Sequence, residues 1–263
     1  MRRAGLVVAH TLEHLGQVCR EGMTTGELDT IARQQIESRG ARPSFPEVPG
    51  YRHTLCVSVG PQVVHGIPGD RVLAAGDIVS IDCGAIVDGW HGDAAVSLLV
   101  GGAQAAGAEA ARLVQVTAGS LAAGIAAMRP GNRVGDIGAA VEAHIESAAS
   151  SDGVTYGIVE QFEGHGIGRA MHMDPGVPNV AVRRRGPKLA VGATLAIEPM
   201  VTLGSGMTYE LDDGWTAVTV DGSLAAHVEH TVAITSDGIW VLTALDGGEA
   251  LLREVGAPYG PWA

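Results

Sequence analysis

Two apolar, strand-like segments of this 263-residue chain end on carboxylates. Gly76-Asp77-Ile78-Val79-Ser80-Ile81-Asp82 and Gly192-Ala193-Thr194-Leu195-Ala196-Ile197-Glu198 share one outline, a glycine, an apolar run and a terminal acid. A packed core would place another aliphatic residue there, because a carboxylate in an apolar strand is costly unless paired or metal-bound. A second acid follows each: Asp93 after eleven residues, and Glu229 after thirty-one. A further matched pair, Gly22 to Leu28 and Gly131 to Ile137, is offset by 109 residues, against 116 for the carboxylate strands. A helix-turn-helix-then-strands unit used twice predicts one core with a pseudo-twofold axis. It implies one domain over 1–263, with halves of about 1–110 and 111–245 and a short C-terminal tail. The site belongs where the halves meet.

Local periodicity fills in the elements. Val8, Leu12 and Leu15 share a helical face that ends near Gly16, and Thr24-Thr25-Gly26-Glu27 is a capping box opening a helix with Leu28, Ala32 and Ile36. Prolines and glycines make 41–51 an irregular loop. Segments 55–59, 63–65, 78–82 and 85–90 read as strands. Val114, Ala118, Leu121, Ile125 and Met128 predict a long helix stopped by Arg129-Pro130-Gly131, followed by one carrying Val134, Ile137, Val141 and Ile145. Segments 195–197, 216–220, 228–234 and 239–242 read as later strands.

Composition narrows the class. Hydrophobic residues at 46% against 17% charged fit a packed globular chain, and a net charge of −12 argues against a nucleic-acid partner. The run Arg183-Arg184-Arg185 reads as a solvated loop. Three cysteines, Cys19, Cys56 and Cys83, cannot all pair, which suggests a reduced, cytoplasmic setting. The first residues form no cleavable signal, and no apolar run is expected to approach the ~20 residues that cross a bilayer.

Asp82, Asp93, Glu198 and Glu229 in one cavity carry four negative charges, which two divalent ions would cancel, with histidines as neutral ligands. A hairpin through Asp88-Gly89 would point Asp82 and Asp93 to one face, and a turn residue after Gly92 is the competing reading of Asp93. His165, in Gly164-His165-Gly166-Ile167-Gly168, has flanking glycines that admit a close approach, although a loop histidine reads the same way. His65 and His172 are offset by 107, close to the other matched elements, so they form the symmetric pair facing substrate. His165 is then the metal ligand.

Taken together, His65-Gly66-Ile67-Pro68, Asp82 with Asp93, the His165 motif, Ile197-Glu198-Pro199-Met200 and Glu229-His230-Thr231 resemble the type I methionine aminopeptidases over about residues 1–242. The resemblance implies a pita-bread α/β (α+β) fold, duplicated halves around a central curved antiparallel sheet. It implies that Asp82, Asp93, His165, Glu198 and Glu229 ligate two divalent ions (Co, Mn, Fe or Zn), with Asp93 and Glu229 bridging, and that a shared hydroxide attacks the carbonyl after the first residue. Glu198 would move protons, and His65 and His172 would bind the substrate and its oxyanion. Tyr51, Cys56, Met171 and Trp215 would line the methionine slot, with Phe45 a weaker candidate. The substrates implied are nascent polypeptide N-termini near the ribosome, met by a monomer without nucleic acid or membrane. Val64, Gly60, Met171 and His227 depart from the family's usual cysteine, asparagine, phenylalanine and glutamine; Gly60 counts against a monovalent-cation site. His91 and His230 read as supporting, and His10, His14, His53 and His144 as surface. Proline-specific relatives carry an extra N-terminal domain, and type II enzymes an insertion between the positions of His165 and Glu198, thirty-three residues apart here.

Overall fold

The computed structural model describes residues 1–262. The first half begins with two antiparallel-packed helices, α1 (Arg2–Val18) and α2 (Thr25–Ser38). The predicted capping box closes at the start of α2: Thr24 N–H donates to Glu27 Oε2 at 2.7 Å, and Glu27 N–H donates to Thr24 Oγ1 at 3.1 Å. Helix α1 ends at Val18, two residues beyond Gly16, where Cys19 N–H bonds the Leu15 carbonyl. Strands β1 (Leu55–Val59), β2 (Gln62–Val64), β3 (Ile78–Val87) and β4 (Trp90–Leu99) follow. The strand expected over 85–90 splits: Ala85 to Val87 end β3, Trp90 opens β4, and the hairpin turn lies at Asp88-Gly89 between them. Asp88 and Gly89 both adopt positive φ (52° and 74°), the backbone of a two-residue hairpin loop whose twist matches the flanking strands. The segment expected as strand over 63–65 ends at Val64, because His65 is left-handed at φ 59°.

The second half repeats the order with α3 (Ala108–Ala127) and α4 (Val134–Asp152), then β5 (Gly164–Gly166), β6 (Met173–Val177), β7 (Thr194–Ile197), β8 (Met200–Thr202), β9 (Ala225–His227), β10 (Glu229–Ile234), β11 (Ile239–Val241) and a short α5 (Glu249–Glu254). With 20 residues and an apolar composition, α3 has the length to cross a bilayer, which the sequence reading assigns to no segment. It is a core helix here. Leu113 and Val116 pack with Val141 and Ile145 of α4, and Leu121 and Ile125 join Ile137 and Ile197 in the core beneath the sheet.

The main sheet runs β3-β4-β10-β7-β5-β6, all antiparallel, with β1 also paired to β3 and β11 to β10. The sequence is therefore mirrored about the β4–β10 junction. The helix entries match bond for bond. Gly22 N–H reaches Leu73 O and Gly131 N–H reaches Leu189 O; Gly26 N–H reaches Gly69 O and Gly135 N–H reaches Arg185 O. Donors are 109 residues apart and acceptors 116, the same two offsets carried by the motifs. The seven-residue difference lies between the helix entry and the strand that follows it.

Candidate metal centre

Sheet register gathers the acids. Cys56, Asp82, Ala95 and Glu229 stand directly opposite one another on β1, β3, β4 and β10, forming one row across four strands. Residues so opposed project from the same face. Ala95 is the smallest side chain in the row, so Asp82 and Glu229 face each other across it. Asp93, two residues before Ala95, shares that face, and its opposite neighbour is Gly84. The other half contributes a second row, His165, Ala196 and Thr231 on β5, β7 and β10. Glu198 follows directly after β7. His165 therefore lies on a strand rather than in a loop, and Asp93 lies within β4 rather than in a turn.

The ladder between the halves pairs Glu229 with Ala95 and His230 with Ala94. One step on, a side chain replaces the backbone bonds. The Thr231 hydroxyl donates to the Asp93 carbonyl at 2.8 Å and accepts the Asp93 N–H at 3.0 Å. Asp29 of α2 aligns the opposite edge, accepting the N–H groups of Thr54 and Leu55 at 2.7 and 2.8 Å at the start of β1.

Asp93, His165 and Glu229 each offer a donor atom, all within 4.8 Å of one another. His165 Nε2 lies 3.7 Å from Glu198 Oε1. These groups are short of partners. Asp82 Oδ1, Asp93 Oδ1 and Glu229 Oε1 are buried without a hydrogen bond, a state proteins rarely tolerate unless another group completes the site. Burial raises all four acids above the usual carboxylate range. Asp93 is raised to about 8 by burial and the neighbouring Glu198 charge, and Glu198 to about 7 by burial, opposed by His165. Asp82 and Glu229 rise well above their ordinary values, again by burial first and then by the nearby carboxylates. Burial lowers His65 to about 4 and also lowers His165, leaving both rings neutral. Several clustered oxygens with one neutral imidazole suit hard to borderline divalent cations, so these residues fit a metal.

One cavity is lined by all five of these residues together with His65, His172 and an apolar wall. Tyr51, Cys56, Met171 and Phe45 form one buried cluster, with Trp215 against it. Tyr51 packs edge-on to Trp215 with centroids 4.9 Å apart, and its hydroxyl donates to the Leu55 carbonyl at 2.7 Å. Phe45, the weaker sequence candidate, lines the cavity with the others. His172 sits beside His165 (centroids 4.5 Å), while His65 stacks edge-on against Phe162 at 5.2 Å. Two further histidines are held by hydroxyls: His91 Nδ1 meets Ser44 Oγ at 3.0 Å and His230 Nδ1 meets Thr243 Oγ1 at 2.9 Å. His10 is exposed, but His14, His53 and His144 are half-buried rather than on the surface, the His144 ring lying against Gly119 of α3.

Three residues at the site escape the sequence reading in this capacity: Thr231, Phe162 and His227. His227 Nε2 lies 3.6 Å from Glu198 Oε2 and has no partner. Its position two residues before Glu229 is the one signal that could have found it, although Val228 separates the two residues into β9 and β10.

The profile of metallopeptidase family M24 matches residues 1–236. Methionine aminopeptidase 1 of Mycobacterium tuberculosis is 51% identical over 244 residues, 92% of this chain and 91% of that one. Methionine aminopeptidase 1 of Bacillus subtilis is 44% identical, covering 92% and 94%. Among solved structures, the methionine aminopeptidase from Thermotoga maritima superposes with a TM-score of 0.87 at 39% identity, covering 93% of this chain and 95% of that one. The prolidase from Pyrococcus furiosus shares the fold at a TM-score of 0.72 and 19% identity, and this chain spans 62% of its length.

Proposed function

The chain belongs to metallopeptidase family M24, and from that premise we propose that it removes the N-terminal methionine of polypeptides by metal-dependent hydrolysis. The observation that carries this reading is the junction, in one cavity, of five metal-fitting donors with an apolar slot of Tyr51, Cys56, Met171 and Trp215. Asp82, Asp93, His165, Glu198 and Glu229 are the residues that would hold two divalent ions, with Asp93 and Glu229 shared. Bound there, divalent ions supply a Lewis acid and a water ionised near neutral pH.

The protein's own groups do the rest. A thioether side chain fits between the edge of Tyr51 and the soft sulfurs of Cys56 and Met171, where sulfur-aromatic contacts favour it. Neutral His65 donates a single ring N–H, and His172 stands on the His165 side of the cavity; together they hold the peptide carbonyl and its developing oxyanion, worth about 2.7–4 kcal/mol for a well-placed donor. Glu198 takes a proton at its carboxylate and returns it to the leaving amine. The protein acts as a monomer on nascent chain ends in the cytoplasm, near the ribosome.

Hydrolysis of Met-Ala-Ser against Ala-Pro peptides, with Mn²⁺ or Co²⁺ and a chelator control, tests the reading. Metal-dependent release of methionine alone is expected. Cleavage before proline, or no cleavage by the metal-loaded protein, overturns it.

A further inference from the structure

His227 is the last residue of β9 and stands outside the five-donor set. Its backbone is fixed from the other half of the molecule. The Ser97 hydroxyl accepts the His227 N–H at 3.0 Å and donates to the His227 carbonyl at 2.8 Å. Ser80 Oγ lies 3.2 Å from the same N–H and 2.8 Å from Ser97 Oγ. The ring that this clamp presents is 2% exposed, and its Nε2 finds no hydrogen-bond partner. An unpartnered buried imidazole nitrogen is costly, so its direction is informative.

Nε2 faces one atom in particular. Glu198 Oε2 is 3.6 Å away, while the second carboxylate oxygen, Oε1, lies 3.7 Å from His165 Nε2. Glu198 is thus bracketed by two imidazoles, one on each oxygen. A separation of 3.6 Å exceeds a hydrogen bond, but closing it to about 2.9 Å needs a shift of under ~1 Å. The terminal torsion of glutamate is broad, so rotation of the carboxylate supplies that shift at small cost.

We propose that His227 is a positioning residue for Glu198: its ring N–H donates to Oε2 and turns Oε1 toward His165 as the oxygen offered to a metal ion. This rests on the metal-centre reading above. A carboxylate ligand free to spin presents either oxygen, or both; one tethered through Oε2 presents Oε1 alone. Groups that orient a ligand in this way commonly matter 10–100-fold for metal affinity or activity.

Two substitutions separate the donor from mere bulk. His227→Leu fills the space without an N–H. His227→Gln carries an amide nitrogen three bonds beyond Cβ, as Nε2 is in histidine, and can donate to the same oxygen. Mn²⁺ affinity by titration calorimetry, the visible spectrum of the Co²⁺-loaded protein, and kcat and KM on Met-Ala-Ser are measured for each, with circular dichroism confirming folding. The expected result is a 10–100-fold loss of Mn²⁺ affinity or kcat for His227→Leu with KM changed under about 3-fold, and recovery to within about 3-fold for His227→Gln. The Co²⁺ spectrum should be the same for wild type and His227→Gln. Wild-type behaviour of His227→Leu overturns the proposal, as does equal loss in both variants with a changed Co²⁺ spectrum, which would make the imidazole a ligand itself. If His227→Leu does not fold, His227→Gln alone decides by its affinity and spectrum. Failure of the wild-type protein to bind Mn²⁺ would instead sink the metal-centre reading.

Discussion

Replacing Thr231 by valine keeps the shape of the side chain and removes a single oxygen. That oxygen both donates to the Asp93 carbonyl and accepts its N–H where the backbone ladder between β4 and β10 ends. Thr231 and Asp93 are buried, at 0% and 3% exposure, so water cannot replace either bond. Each orphaned backbone group costs about 1–3 kcal/mol, and the added methyl returns about 0.8 kcal/mol, giving a net loss of roughly 1–5 kcal/mol. At about 2–4 °C per kcal/mol for a chain this long, the melting temperature should fall by roughly 2–20 °C. Thr231→Ser keeps the oxygen and should lose about 1 kcal/mol. The assay is thermal unfolding in chelator, which isolates the protein from metal linkage, followed by Mn²⁺ titration, since a loosened Asp93 should also weaken the ion. A fall below about 2 °C in Thr231→Val, or an equal fall in Thr231→Ser, would refute the claim that the hydroxyl carries this junction.

Metal and pH are coupled with a definite sign. Asp93 and Glu198 have folded pKa values raised to about 8 and about 7, so the metal-free fold is favoured at low pH and loses stability as pH rises from about 4 through 8. The gap in melting temperature between Mn²⁺-loaded and chelated protein should therefore widen from pH 5.5 to pH 8; a gap independent of pH would count against the buried acids. Gly164→Ala would drive a methyl into the Ala196 carbonyl oxygen across β5 and β7, so expression should shift to the insoluble fraction or the melting temperature should drop sharply; a soluble variant with wild-type melting would be inconsistent with that packing. Trp215→Ala removes one wall of the slot, and kcat/KM on Met-Ala-Ser should fall roughly 10- to 200-fold, with wider tolerance for other first residues in a peptide panel.

Much of this was legible in the chain itself. Asp82 and Glu198 stand out because an acid that closes an aliphatic strand contradicts its local pattern, and the two offsets of 109 and 116 reappear as hydrogen-bonded pairs. His165 was harder, because three glycines around a histidine read as loop until β5 supplies strand partners on both sides. The hairpin through Asp88-Gly89 was legible from its turn residues, although the apolar pattern around it blurred where each strand ends. Thr231 and His227 left little trace. A threonine in a strand looks like any β-former, and its value lies in the partner that register places opposite it. His227 becomes informative only once Glu198 is seen beside it, a neighbour twenty-nine residues away that enters from another strand.

The ligand-bearing face is shared unequally, with Asp82 and Asp93 on one side of the β4–β10 junction and His165, Glu198 and Glu229 on the other. Neither side alone holds all five donors, so full occupancy reports the union of the two. Backbone cleavage in the glycine-bearing link around Gly101–Gly107, outside the main sheet, would yield two fragments whose reassociation is concentration-dependent and strengthened by Mn²⁺. Mixing such fragments with and without the ion would turn a catalytic centre into a gauge of how tightly two ancestral-looking repeats still hold together.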